Sequence, residues 1–190
     1  MIHLVRPAGV DDPRRPSGGN VYDRRIASAL GMVEHASTAP VPDGAVVLVD
    51  GLCSSPALLS EASRLRVVVL VHMPRWEWWE GPVLQAAAGV VTTSRWSRDV
   101  LASRYGLDRV AVAEPGVDPA PVAAGSPSGG ALLSVGAVTA SKGYDVLAAA
   151  LRLLDDLAWS CRGVGSTEVE PAFAATVPAV ARLSGPRTRT

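Results

Sequence analysis

Glycines 18 and 19 stand in the run Pro16-Ser17-Gly18-Gly19-Asn20, directly ahead of a segment with helical spacing. Lacking Cβ atoms, such glycines let backbone N–H groups approach an anion, and a helix start adds partial positive charge. Arg14, Arg15, Arg24 and Arg25 flank the run and suit a phosphate. The same residues also fit a flexible loop beside a solvated arginine face. The run is not G-x-G-x-x-G, which speaks against a nicotinamide dehydrogenase.

His72 follows the apolar run 67–71, and Asp50-Gly51 ends the neighbouring run 45–49 in the same way. Ligands of open parallel sheets bind at the carboxyl ends of strands, so both positions have a claim on function. A structural hydrogen bond is the plainer role for a lone histidine there. Trp76, Trp78 and Trp79 crowd into RWEWWEG just beyond His72. Indole faces stack on sugar rings or apolar acceptors, although a helix start burying two of the three rings explains them slightly better. Lys142 precedes a helical segment, where an ammonium opposes the macrodipole unless an anion or solvent receives it. Gly51-Leu52-Cys53-Ser54-Ser55 resembles a nucleophile elbow with cysteine at its centre. Such a hydrolase needs an acid and then a histidine later in the chain. Only Glu61 and His72 follow at a usable distance.

Short β-branched runs alternating with helical segments must position these residues, the signature of βαβ units and a parallel sheet. Strands are expected at 2–5, 45–49, 67–71, 89–93 and 110–113, with a second strand near 32–36. Helices are expected at 20–30, 56–64 and 96–105, the last capped by Ser94 and closed by Gly106. Residues 1–118 thus read as one Rossmann-like domain, and 119–130, rich in Pro, Ala, Gly and Ser, as a linker. The pattern restarts in 131–190: strands at 131–135 and 159–164, and helices at 144–154 and 171–183. Two βα units do not cover both faces of a sheet, so this second domain reads as incomplete, with open edges prone to self-association.

The 190 residues are 48% hydrophobic and 19% charged, with a formal net charge of zero. That composition is globular, and neutrality removes the attraction a nucleic-acid binder shows. Cys53 and Cys161 are far apart, with no CxxC pair to hold zinc. No metal or cofactor is expected. The N-terminus is too soon broken by Arg6 and Pro7 for a signal peptide, and no run reaches membrane-spanning length. A soluble, cytoplasmic protein is the expectation.

In series, PSGGNVYDRRI, VVLVDGL, LVHMP, VVTTSRWSRDVL-ASRYGL, VAEPGVD and LLSVGAVTASKGYDVLAAALRLL resemble family-4 glycosyltransferases of the GT-B fold over most of residues 1–165. The resemblance implies two Rossmann-like domains, the first holding an acceptor and the second a nucleotide-sugar, with retention of configuration and usually no metal. It implies that Gly18 and Gly19 lie near the donor phosphates, that His72 is the cleft histidine and that Lys142 binds the diphosphate. Asn20, Arg24 and Trp76 are the acceptor-side candidates, and Pro115-Gly116-Val117-Asp118 leads into the linker. The chain departs from the family at Ala137, where the pattern commonly has arginine, and in regions 31–43 and 73–84, which look short. Glu168 and Glu170 are too close together to form the family's Glu-x7-Glu element. The resemblance therefore implies a donor domain truncated in this chain. The rival expectation is a non-catalytic Rossmann-like protein that binds or associates.

Overall fold

The computed structural model describes residues 1–12, 17–154, 156–177 and 183–184. The chain forms two compact units, one of residues 1–10 and 17–118, the other of Asp11, Asp12 and the described residues from Pro119 on.

The first unit is a six-stranded parallel sheet, a Rossmann-like α/β arrangement. Its strands are β1 (Ile2–Val5), β2 (Val33–His35), β3 (Val46–Asp50), β4 (Arg66–Val71), β5 (Gly89–Thr92) and β6 (Val110–Val112), in the order β2-β1-β3-β4-β5-β6. The order reverses at β1, so the carboxyl ends of β1 and β3 diverge and open a crevice. Valine dominates the central strands because helices cover both faces and β-branched side chains fit the pleat. Val47, Val49, Val67, Val69 and Val71 are buried, packed with Leu58, Leu84 and Leu101 from the helices. Each such side chain contributes about 1.5–3 kcal/mol by leaving water.

Helix α1 (Gly18–Leu30) follows β1 and ends at Gly31, whose φ of 58° closes it in a left-handed turn. Helix α4 (Arg95–Tyr105) begins where the Ser94 hydroxyl accepts the Ser97 N–H at 3.1 Å, and ends at Gly106 with a φ of 64°. The helix expected over 56–64 shrinks to α2 (Leu58–Glu61). The Ser60 and Ser63 hydroxyls donate back to the carbonyls of Ala57 and Ser60, competing with the helical ladder. Beyond it, Arg64 N–H reaches only Glu61 O, a tighter turn. Helix α3 (Glu80–Ala86) starts later than any helix start read at the tryptophans.

The second unit has a three-stranded sheet of β7 (Ala131–Val135), β8 (Ser160–Val164) and β9 (Leu183–Ser184), in that order. Strand β8 pairs parallel with β7 and antiparallel with β9. Helix α5 (Tyr144–Arg152) and helix α6 (Pro171–Thr176) complete it. The helix expected over 171–183 stops at Thr176, and Leu183 lies instead in β9; residues 178–182 fall outside the described residues. Val138, Tyr144 and Val177 form its small core with Phe173 and Ala174. At Gly165 a Cβ would stand 1.7 Å from Gly136 O, so only glycine lets the two chain segments touch. Among the described residues, no helix is long and apolar enough to cross a membrane.

Candidate functional site

Three segments of the first unit meet at the carboxyl edge of its sheet. Strand β3 ends on Asp50, β4 hands the chain to His72, and α1 brings Asp23 down onto both. Positions 19, 23 and 27 fall on one helical face, and Asp23 and Ala27 are buried there. Small residues at 19 and 27 let the helix approach closely. At Gly19 an added Cβ would stand 3.3 Å from His72 Cδ2, so the glycine is the floor on which the imidazole lies. Tyr22 meets the other side of the ring edge-on, with centroids 5.4 Å apart. The Thr93 hydroxyl donates to the His72 carbonyl at 3.2 Å and ties the segment after β5 to the same place.

His72 Nε2 lies 2.9 Å from Asp23 Oδ1 and 4.0 Å from Asp50 Oδ2. Asp50 Oδ1 accepts the Leu52 N–H at 2.7 Å, which caps the short 3₁₀ turn Gly51–Cys53. Asp23 is fully buried, and its Oδ2 has no hydrogen-bond partner among the described residues. Burial pushes the Asp50 carboxyl up to about 6, and the neighbouring Asp23 adds to the rise. Burial pulls His72 down, but the Asp23 hydrogen bond and the charges of both aspartates outweigh it and leave the imidazole raised.

Donor atoms of Asp23, Asp50 and His72 lie within 4.8 Å of one another. Two carboxylates and an imidazole would serve a divalent cation, but the direct His72–Asp23 bond already satisfies Nε2 without one.

The candidate residues read from the sequence divide. Gly19 and His72 are brought into contact, and Gly18 opens the same helix, whose preceding Ser17 makes no side-chain cap. Asn20 is committed elsewhere, its amide donating to Val10 O at 3.0 Å. Arg24 is exposed, and Arg25 is taken by a two-pronged bond to Asp118 at 3.1 and 2.5 Å, which removes it from any phosphate cluster. Arg14 and Arg15 lie outside the described residues. Lys142 belongs to the second unit, where it ends the 3₁₀ turn Ala140–Lys142 ahead of α5. Its aliphatic stem packs over Gly136, where a Cβ would meet Lys142 Cδ at 3.7 Å, and the residue is exposed.

Trp76 is half-exposed in the loop between β4 and α3, with the Arg104 guanidinium 5.2 Å from its ring centre. It is the only non-glycine residue with positive φ among the described residues, at 63°. A bulky residue adopts that backbone only when its surroundings enforce it. Glu80 does so. Its buried carboxylate accepts the N–H groups of Arg75 and Trp76 at 2.8 and 3.0 Å and the Tyr105 hydroxyl at 2.9 Å.

Asp23 and Glu80 escaped the sequence reading because an acid in a helix ordinarily faces water. The signal for Asp23 was its place between Gly19 and Ala27 on a face of small residues. Burial, with the charges of Asp50 and Asp23, pushes the Cys53 thiol up to about 11, which keeps the thiolate scarce near neutrality. A cavity of about 400 Å³ opens at the opposite, amino edge of the sheet, lined by Leu84, Gly89 and Leu107 among others, away from this chemistry. Set against known proteins, the sequence matches no family model, no curated protein and no solved structure.

Proposed function

We propose that the chain is of glycosyltransferase type, taking a nucleotide-sugar donor and passing its sugar to an acceptor with retention of configuration. One observation carries the reading: His72 rests on Gly19, at the sheet's switch point and on the first turn of an uncapped helix. A phosphate at that helix start meets backbone N–H groups and the positive end of a 13-residue dipole. The imidazole beside it is chemically able to hydrogen-bond a sugar hydroxyl.

In the reaction the bond from the anomeric carbon to the phosphate oxygen breaks, and a bond to the acceptor oxygen forms on the same face. Negative charge grows on the leaving diphosphate. Within the first unit the first-turn N–H groups of α1 are suited to oppose it; Lys142, in the second unit, is the residue the family resemblance assigns to the diphosphate. Trp76, with Arg104 over one face of its ring, is the candidate surface for the acceptor.

Calorimetric titration with a panel of nucleoside-diphosphate hexoses tests the proposal. Micromolar binding is expected for at least one donor. Lys142→Ala weakens it tenfold or more, and Gly19→Val does the same by displacing the imidazole. Absence of binding at millimolar donor, or binding indifferent to both substitutions, ends the transferase reading.

A second reading, a non-catalytic protein that associates through its sheet, is favoured by one observation. Edge strand β7 leaves Leu133 and Val135 67% and 73% exposed.

A further inference from the structure

Three side chains converge at the carboxyl edge of the first sheet with too little positive charge among them. His72 Nε2 stands 2.9 Å from Asp23 Oδ1 and 4.0 Å from Asp50 Oδ2, and one donor atom from each of the three residues lies within 4.8 Å of the others. The two acid side chains are 0% and 2% exposed, and the ion-pair partner of each among the described residues is His72. A single imidazole, even a protonated one, leaves two buried carboxylates with an uncompensated negative charge. Buried charge of that kind is paired or coordinates a metal. Asp23 Oδ2 points the same way. It is buried and accepts no hydrogen bond among the described residues, although the other oxygen of the same carboxylate bonds His72. The His72–Asp23 bond satisfies the imidazole and leaves this oxygen as it was.

We propose that Asp23, Asp50 and His72 form a binding site for a divalent first-row transition-metal ion, of the kind Mn²⁺ and Zn²⁺ represent. Donor atoms that share such an ion, each about 2.1 Å from it, lie about 3 to 4 Å apart. The two Nε2 spacings stand at the ends of that range, so a cation that takes the place of the proton between Nε2 and Asp23 needs only small side-chain shifts. Two carboxylates supply charge. One imidazole nitrogen biases the set away from Mg²⁺ and Ca²⁺, which take oxygen ligands. Outer partners already orient these side chains. The Leu52 N–H holds Asp50 Oδ1 at 2.7 Å, and Oδ2 is the oxygen nearer the imidazole. Gly19 and Tyr22 fix the His72 ring from two sides. Three protein ligands leave coordination positions open, and the 21% exposure of His72 marks the side from which they are reached. The ligands stand at 23, 50 and 72 with no short motif linking them, which is why the sequence offers no sign of the ion. Asp23 lies one helical turn along α1 from Gly19. Any contact between the ion and a donor diphosphate rests on the transferase reading; the ion site itself does not.

Calorimetry on the full chain, freed of metal by a chelator and then dialysed, tests the site with Mn²⁺ and Zn²⁺ alone. One ion per chain is expected at micromolar affinity, with Mg²⁺ at least tenfold weaker. Asp50→Asn keeps an oxygen for the Leu52 N–H but removes the charge, and is expected to weaken binding tenfold or more. His72→Gln is expected to do the same. His35→Gln, which removes the histidine bonded to His3 outside the cluster, leaves the affinity unchanged. Pulsed EPR of the Mn²⁺ form, with nitrogen-15 in its histidines, shows one imidazole nitrogen coupled to the ion. That coupling survives His35→Gln and is lost in His72→Gln. Circular dichroism identifies a variant that does not fold. If His72→Gln is such a variant, the Asp50→Asn titration and the spectra of the unsubstituted chain and His35→Gln still decide.

No saturable binding of either ion at millimolar concentration overturns the proposal. Binding that Asp50→Asn leaves unchanged does so too, as does a Mn²⁺ spectrum without imidazole coupling. Loss of binding in His35→Gln also overturns it, for the ion would then sit on the His3–His35 pair. No sugar donor enters these measurements, so failed donor binding leaves the ion site standing. A failed ion site likewise leaves the donor question with α1 and Lys142.

Discussion

At the residue scale, the Asp50 carboxyl is the group whose protonation the fold changes most plainly. Its folded value of about 6 lies above the 3.8 of the unfolded chain, raised first by burial and then by Asp23. A raised acid favours the folded state while protonated, so its contribution is full below the unfolded value and is lost as pH rises through about 6. His72 is also raised, so its contribution is present below 6.5 and lost as pH climbs through its folded value. Both act in one direction: stability falls from pH 5 to pH 8. Asp50→Asn removes part of that slope and leaves the variant more stable than the parent at pH 8. Urea denaturation at the two pH values checks this. A parent curve that does not move with pH refutes the arrangement of charges described here. The Arg25–Asp118 pair, exposed at both ends, contributes little to that balance.

Among elements, the strands were plain in the sequence and two helices were not. Runs such as Val46–Asp50 and Arg66–Val71 announce buried parallel strands because little but apolar, β-branched residues fills them. The Ser94 and Gly106 signals bracket α4 as capping chemistry dictates. The segment 56–64 carries helical spacing, yet its serine hydroxyls take the carbonyls that a longer helix would need. Helix α3 was hidden because its start is set by a distant partner, Tyr105, whose ring would lie 2.7 Å from a Cβ at Gly81. The Glu80 clasp that fixes the loop before it is equally non-local, since it depends on the Tyr105 hydroxyl. Glu80→Ala strands two backbone N–H groups and that hydroxyl, and is expected to cost about 3 kcal/mol. Adding Trp76→Gly to that variant recovers about 1 kcal/mol, because glycine takes a left-handed backbone freely. Chemical denaturation of the single and double variants reads the difference. Equal stability of the two would mean that Glu80 holds no strain at Trp76.

For the whole molecule, the two units differ in how well they bury what they contain. The first sheet fully buries the face that carries Val47, Val67 and Val69, whereas β7 turns Leu132, Leu133 and Val135 to solvent at one edge of its sheet. Exposed apolar edges of this kind invite strand addition. Light scattering is expected to show self-association that grows with concentration, and Leu133→Lys with Val135→Lys is expected to restore the monomer. A parent that stays monomeric at high concentration contradicts this. The candidate site was half legible from the sequence. Gly19 and His72 were visible from type and position, while Asp23, 49 residues from His72, becomes a partner only through the sheet order.

That separation has its own effect on when the site exists. The acid of α1, the acid of β3 and the imidazole beyond β4 are drawn from three stretches of chain that have no reason to meet until the sheet has closed. Melting of α1 alone, with the strands intact, would take from His72 both its Asp23 partner and the glycine beneath its ring. The chemistry is thus assembled or erased as one event, and a half-folded copy of the protein would carry no half-working version of it.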